Sequence, residues 1–546
     1  MRYFFIFLSF VFVFSLSAQN IEYKFRVYLK DKGTTNYSVS EPEKFLSQVA
    51  IERRQRQNVA IDESDLPISR DYFTLVERAG GRVVSYSKWF QTFVVQVPDS
   101  ARITAIEQLP FVESVRYVWR GNPNSQQNEM RPRLQKTIDC DQYISANNYF
   151  GRTANQFTLH NAETMSMAGF RGKGIKIGVI DAGFANVDVI PYFDNLRLGG
   201  FQNFVPQGEV FSGNDHGTSV LSTMLVQQPG LMIGSAPDAT YWLLRSEDVA
   251  TEFPVEEDYW VRAIEFADSV GIDIANTSLG YSTFDDPSLN YTHADLTGRV
   301  SIMSRAADKA FSKGMLLVVS AGNEGNKPWQ KTTAPGDAHN VITVGAVGTD
   351  GEIANFSSHG LTADGRIKPD IVSVGRETIV IGRYGVVRTA NGTSFSSPFV
   401  TGLIASLWSI NPDLHRSEVI DIVKQSSDRF HSPDTVFGKG IPDFQKATAK
   451  MLQTLNVHIG DISENGWNIA RTEVGYTIGF NNAFKSSDPP SFVLLDEEGR
   501  ILSSYVIDSN TSSISVSVSS EVRSKNEYLY FVVNEGDWQR VFRVKS

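Results

Sequence analysis

Three side chains in the central part of the sequence have the types that nucleophilic acyl transfer needs: Asp181, His216 and Ser394. A serine hydroxyl attacks a carbonyl only when a neighbouring base takes its proton. An imidazole can be that base when a carboxylate fixes its tautomer and stabilises its charged form. Asp181 ends the apolar run "KIGVID", His216 opens a helix-like run in "NDHGTSVLSTMLV", and Ser394 follows the Asn391-Gly392 turn in "NGTSFSSP", ahead of another helix-like run. Taken singly, each has an ordinary explanation: a loop carboxylate, a packed or surface imidazole, a helix N-cap serine. The seven other histidines, His339 and His359 among them, keep that ordinary reading. Together they supply orienting carboxylate, base and nucleophile. Asn323, closing the strand-like run in "VVSAGNEG", offers a side-chain amide to the oxyanion of a tetrahedral intermediate, with the Ser394 N–H beside it. A helix starting at Ser394 adds its positive N-terminal end at the same point.

These residues need a frame. From 153 to 455, apolar runs such as "KIGVID", "TYWLL", "IDIANTSL", "MLLVVSAG" and "VITVGAV" alternate with helical segments, which predicts an α/β unit built on a parallel sheet with helices on both faces. Ahead of it, residues 22–120 alternate strand and helix patterns in a small α+β unit. These include a strand "EYKFRVYL", one helix running through "SEPEKFLSQVAIERRQRQ", a second in "SRDYFTLVERAGG", and a long strand or hairpin in "VVSYSKWFQTFVVQV". Residues 121–152 are polar and weakly periodic, as a linker is. Residues 456–546 break into short strands separated by turn residues, the pattern of a small β domain.

Composition narrows the classes. With 546 residues, 41% hydrophobic and 21% charged, the chain has enough apolar material for several cores. A net charge of −10 with no basic stripe excludes nucleic acid as an expected partner. Residues 1–18, "MRYFFIFLSFVFVFSLSA", read as a secretory signal peptide, too short for a membrane span. No later run is long and apolar enough to cross a membrane, so a secreted or cell-surface protein is expected. The single cysteine, Cys140, can form neither an internal disulfide nor a thiolate metal site. A dinucleotide site is a poor reading of "GKGIKIGVID", because Gly172 and Gly174 precede the strand instead of following it. A carboxylate-pair hydrolase lacks a pair that stands out.

The stretches "DAGF", "NDHGTSV", "SAGNEG" and "NGTSFSSP" resemble the four signature stretches of the subtilisin-like serine proteases (subtilases, peptidase family S8), over about 172–443. The resemblance implies the subtilisin-like fold and a secreted serine endopeptidase. Asp181 would orient the base, His216 act as base and acid, Ser394 as nucleophile and Asn323 as oxyanion donor. "NTSLG" is similar to the family's substrate-binding strand, so Ser278, Leu279 and Gly280 would pair with an extended peptide. Four positions depart from the family: Ala182 where Thr is usual, Ser219 where His is usual, and Phe395-Ser396 where Met-Ala is usual. The resemblance also implies that 22–120 is a ferredoxin-like pro-domain, an intramolecular inhibitor cut away between Gly121 and Asn155. The alternative for 22–120 is a freestanding binding domain, and the main alternative to the endopeptidase is a catalytically silent, peptide-binding protein on the same scaffold. No cofactor is required; calcium is conceivable and the metal sites stay unassigned. Glu324 is expected to line the specificity pocket as a negative wall. The tail, with Asp496, Gly499 and Arg500 in "DEEGR", a late aromatic strand and a basic last strand, resembles the C-terminal sorting module of proteins exported by the type IX system of Bacteroidetes.

Overall fold

A computed structural model describes residues 21–122, 148–480, 489–507 and 513–546. The signal-peptide expectation lies outside the described residues, as do Cys140 and most of the expected linker.

The N-terminal unit is a four-stranded antiparallel sheet. Its strands are β1 (Glu22–Leu29), β2 (Arg82–Ser87), β3 (Thr92–Val97) and β4 (Val112–Gly121), in the order β2-β3-β1-β4. Helices α1 (Gln48–Arg56) and α2 (Arg70–Arg78) belong to the same unit. "VVSYSKWFQTFVVQV" is the β2–β3 hairpin. The single helix expected through "SEPEKFLSQVAIERRQRQ" is two elements: a 3-10 turn, Pro42–Lys44, then α1. The break falls at Ser47, whose side chain caps α1 by accepting the Ala50 N–H. That second cap, three residues past the first turn, is a stronger start signal than the continuous spacing.

The central unit is a seven-stranded sheet. Its strands are β5 (Lys176–Asp181), β6 (Arg197–Asn203), β7 (Thr240–Arg245), β8 (Ile274–Thr277), β9 (Leu316–Ser320), β10 (Ile342–Val347) and β11 (Ile371–Val374). The order is β11-β10-β9-β8-β5-β7-β6, with every pairing parallel. The apolar runs read from the sequence are its inner strands, and β5, β8, β9 and β10 are buried almost throughout. Helices α3 (His216–Leu225) and α6 (Thr393–Trp408) pack in one core. Helices α4 (Val255–Val270) and α5 (Ile302–Ser312) pack in another on the opposite face. Both faces are therefore covered, as continuous apolar strands require. Close packing of α6 depends on small residues: a Cβ on Gly402 would sit 2.0 Å from Ser235 Oγ.

The C-terminal unit has a five-stranded and a four-stranded sheet. It is not simply tethered. Val493, Leu495, Tyr530, Val532 and Val541 bury into the same core as Phe444, Met451 and Leu452 of the preceding helix. The Asp496-x-x-Gly499-Arg500 stretch is a hairpin turn. Asp496 accepts the Arg500 N–H (2.8 Å) and its Nε–H (2.7 Å), and Gly499 takes φ +73° with Thr448 too close for a Cβ. No helix among the described residues is long and apolar enough to cross a membrane.

The N-terminal sheet docks on α4 through buried charges. Arg26 makes a two-point pair with Asp258 (2.6 and 2.8 Å). Arg54 bonds Asp268 (2.7 Å) and Asp65 (3.0 Å), Arg53 also bonds Asp268, and Lys313 Nζ reaches Asp65 at 2.8 Å. Glu265 accepts from Ser87 Oγ and from the N–H groups of Lys88 (3.0 Å) and Trp89 (3.1 Å). Each of these buried charges thereby meets either an opposite charge or hydrogen-bond donors, as burial demands.

Candidate active site

In a parallel sheet, ligands collect beyond the carboxyl ends of the strands. Here β5, β8 and β9 deliver Asp181, Ser278–Gly280 and Asn323 to that edge, with Thr277 in register with both Ile180 and Val319. A cleft of about 350 Å3 there is lined by His216, Ser278, Leu279, Gly280, Asn323 and Ser394, with Glu247 and Glu324 on its walls. Residues up to 213 positions apart in the chain, Asp181 and Ser394, thus meet at one place.

Asp181 is fully buried, and its Oδ1 lies 2.7 Å from His216 Nδ1 while also accepting the Ala182 N–H at 2.8 Å. His216 opens α3, and its N–H is held by Asn214 Oδ1 at 2.7 Å. The imidazole stays 32% exposed on its cleft side, with the Phe395 ring 5.9 Å away. Burial alone would lower its pKa. The Asp181 carboxylate, its hydrogen bond, and the charges of Glu247 and Asp215 outweigh that, and the pKa rises to about 9. His160 shows the ordinary fate of a histidine in this fold. Fully buried between Pro442 O (2.9 Å) and Ser373 Oγ (2.8 Å), it is pushed down to about 4 by desolvation and stays neutral.

Ser394 is the second residue of α6, which starts at Thr393, one position before the start read from the sequence. Gly392 precedes it at φ +152°, a conformation that favours glycine. Pro398, four residues on, has no N–H to give the Ser394 carbonyl, and that carbonyl accepts Ser278 Oγ instead, at 2.9 Å. Ser394 Oγ in turn donates to Ser278 O at 3.3 Å, a long bond, and not to the imidazole. Ser396 and Ser397 are fully buried, and Ser397 Oγ ties α6 to Asn276 of β8 at 2.7 Å. The small serines therefore pack, as expected.

Asn323 has its amide fixed. Its Oδ1 accepts both the N–H (2.9 Å) and the Oγ–H (3.0 Å) of Thr393, which leaves Nδ2 as the free donor beside the turn at Gly392. With the Ser394 N–H at the first turn of α6, the cleft presents two kinds of donor around Ser394. Glu324 lines the same cleft, but its charge is met by Lys327 Nζ at 2.9 Å. Glu247 is the wall residue that motif reading passed over. It lies two positions past the end of β7, whose last residue, Arg245, pairs with Asp181. Its only sequence signal is a carboxylate at the carboxyl end of a parallel strand. Among the described residues no group of three His, Cys, Asp or Glu side chains could hold a metal ion, and Asp286 of the acidic loop "FDDPSLN" caps a 3-10 turn through Ser288.

Residues 172–440 match the family model "Subtilase family", and residues 24–133 match "Peptidase S8 propeptide domain, Bacteroidota". Serine protease AprX of Bacillus subtilis (strain 168) is 29% identical over 52% of this chain and 66% of its own length. Subtilisin DY of Bacillus licheniformis is 28% identical over 53% of this chain and 96% of its own. A crystal structure of MycP1 with the N-terminal propeptide removed aligns with 54% of this chain and 96% of that one, at 22% identity and a TM-score of 0.42.

Proposed function

For a chain whose residues 172–440 belong to the subtilase family, behind an S8 propeptide domain of the Bacteroidota type, we propose the activity of a secreted serine endopeptidase acting through an acyl-enzyme on Ser394. The observation that carries this reading is the convergence of His216, Asn323 and Ser394 on one cleft, with the buried Asp181 bonded to the imidazole at 2.7 Å. A peptide lies extended along Ser278–Gly280. To reach His216, Ser394 Oγ must leave its 3.3 Å bond to Ser278 O; catalytic hydrogen bonds are often long before substrate binds and tighten in the complex. As Oγ attacks the scissile carbonyl, its proton passes to His216, and Asp181 stabilises the imidazolium. The carbonyl oxygen, now negative, takes the Asn323 amide and the Ser394 N–H. His216 then protonates the leaving amine, and water, activated by the same imidazole, releases the acid. Residues 22–120 act as inhibitor until they are removed, and export through the N-terminal segment puts the mature enzyme outside the cell.

A serine-directed phosphonyl fluoride tests the nucleophile directly. One adduct per chain, mapped to Ser394 after digestion, is the expected outcome. Labelling of other serines at equal rates, or none, would favour the catalytically silent peptide binder.

The base must be neutral to work, and His216 is held protonated up to about pH 9. The kcat/KM of the processed enzyme should therefore climb about tenfold per pH unit from neutrality and level off near pH 9. A profile already flat at pH 7 would place the limiting base elsewhere.

A further inference from the structure

Of the two carboxylates on the cleft wall, one is spoken for. Glu324 is paired with Lys327, whereas Glu247, half-buried in the same cleft as His216, makes no hydrogen bond or ion pair with any described residue. Its place is fixed by its neighbours. The Ser246 N–H donates to Asp181 O at 3.1 Å. The fully buried Glu256 holds the following loop by accepting the N–H groups of Asp248 (2.8 Å) and Phe253 (3.3 Å). Asp285 holds it again, through the Glu252 N–H at 3.1 Å.

The charges around Glu247 leave it short of a cation. Glu252, Glu256 and Asp181 have its own sign. Arg245 is buried, with its guanidinium donating to Glu209 O (3.2 Å). Among the described residues His216 also acts on it as a positive group, and that imidazole is already bonded to Asp181; Lys327, on the same cleft, is bonded to Glu324. Burial, then Glu252 and Asp181, raise the Glu247 pKa to about 8, as expected for a carboxyl at a point of negative potential. Such a group is completed by a cation brought into the cleft. A metal ion would need further ligands, which are not grouped there among the described residues; a lysine or arginine side chain needs only the one carboxylate and the open cleft.

We propose, building on the peptidase reading, that Glu247 is a specificity-determining residue: it selects substrates that carry Lys or Arg at the residue lying beside His216. The ammonium or guanidinium pairs with Glu247 inside the cleft while the peptide backbone runs along Ser278–Gly280.

The test compares peptide sets in which Lys, Arg, norleucine, Gln and Glu are placed in turn at each position around the scissile bond. Hydrolysis is measured with the wild type and Glu247→Gln. Binding of the same peptides is measured on Ser394→Ala and Ser394→Ala/Glu247→Gln after an added protease has cut between Gly121 and Asn155 and the N-terminal unit has been separated by gel filtration. At one position the wild-type kcat/KM should favour Lys over norleucine by about 10- to 100-fold, and Glu247→Gln should bring that ratio close to one. The Kd ratios should move in parallel. Equal Lys preference with and without the Glu247 carboxylate, or no basic preference at any position, overturns the proposal. If nothing is hydrolysed but the Kd ratio still falls in the Gln variant, the subsite stands and the peptidase reading fails.

Discussion

Replacing Ser394 by alanine is expected to leave the full-length chain uncut and to lower peptide hydrolysis by about 10^4- to 10^6-fold. The substitution removes one oxygen whose hydrogen bond is the 3.3 Å contact to Ser278 O. The strap in the other direction, Ser278 Oγ to Ser394 O, uses the backbone and survives. Asn323 stays tied to Thr393, and Asp181 to His216. The variant should therefore fold with an intact cleft and an unchanged thermal midpoint, so the loss can be assigned to the nucleophile. Intact mass separates the outcomes. A wild-type chain that loses a segment ending between Gly121 and Asn155, beside a mutant that keeps it, supports both the nucleophile and self-processing. If both chains are trimmed alike, another protease does the trimming. If the mutant keeps wild-type hydrolysis, Ser394 is not the nucleophile.

What could be read from the sequence was what the sheet states locally. An apolar run of five or six residues ending on Asp181, or leading into Asn323, says both that a strand is buried and which end of it carries the polar group. Asp181 and Asn323 could therefore be singled out as candidates from their apolar runs, and His216 and Ser394 from their places at the head of helix-like runs. The charges on α4 could not. Glu257, Asp258, Glu265 and Asp268 recur along a helix and look like a solvated face, yet all are buried. Asp258 and Asp268 find their cations at Arg26, Arg53 and Arg54, more than 200 positions away, and no local pattern encodes such a pairing. Glu247 was silent for a related reason: its meaning comes from the cleft it faces, and "RSEDVATEF" has no motif to mark it. Nor does the alternation of the last strands say which face packs on the helix Phe444–Gln453.

Those hidden pairs carry the second large effect expected of this chain, on the hold of the N-terminal unit. The hydrogen bonds of the Asp268 carboxylate go to Arg53 and Arg54, all three side chains being at most 1% exposed. Asp268→Ala takes the shared anion away from two buried guanidiniums. Arg54 keeps Asp65 at 3.0 Å, but Arg53 is left with backbone carbonyls alone, those of Ile272, Asp268 and Lys313. Breaking a buried pair from one side costs about 3–5 kcal/mol, which converts to roughly a 10^2- to 10^3.5-fold weaker hold. After cleavage the N-terminal unit should leave Asp268→Ala far sooner than the wild type, seen as a shorter lag before peptide hydrolysis appears and as early loss of co-elution on gel filtration. The carboxylate makes no bond within the central unit, so the released enzyme should keep its kcat/KM. Three further substitutions, made together, identify the cause. Combining Asp268→Leu with Arg53→Met and Arg54→Met removes the stranded guanidiniums, leaves Asp65 with Lys313 Nζ at 2.8 Å, and should recover much of the hold, because apolar replacement of a buried ion cluster is often close to neutral. If Asp268→Ala leaves the lag unchanged, the unit is held by its apolar contacts, Trp89 against the α4–α5 core foremost, and the buried charges serve only to fix its orientation.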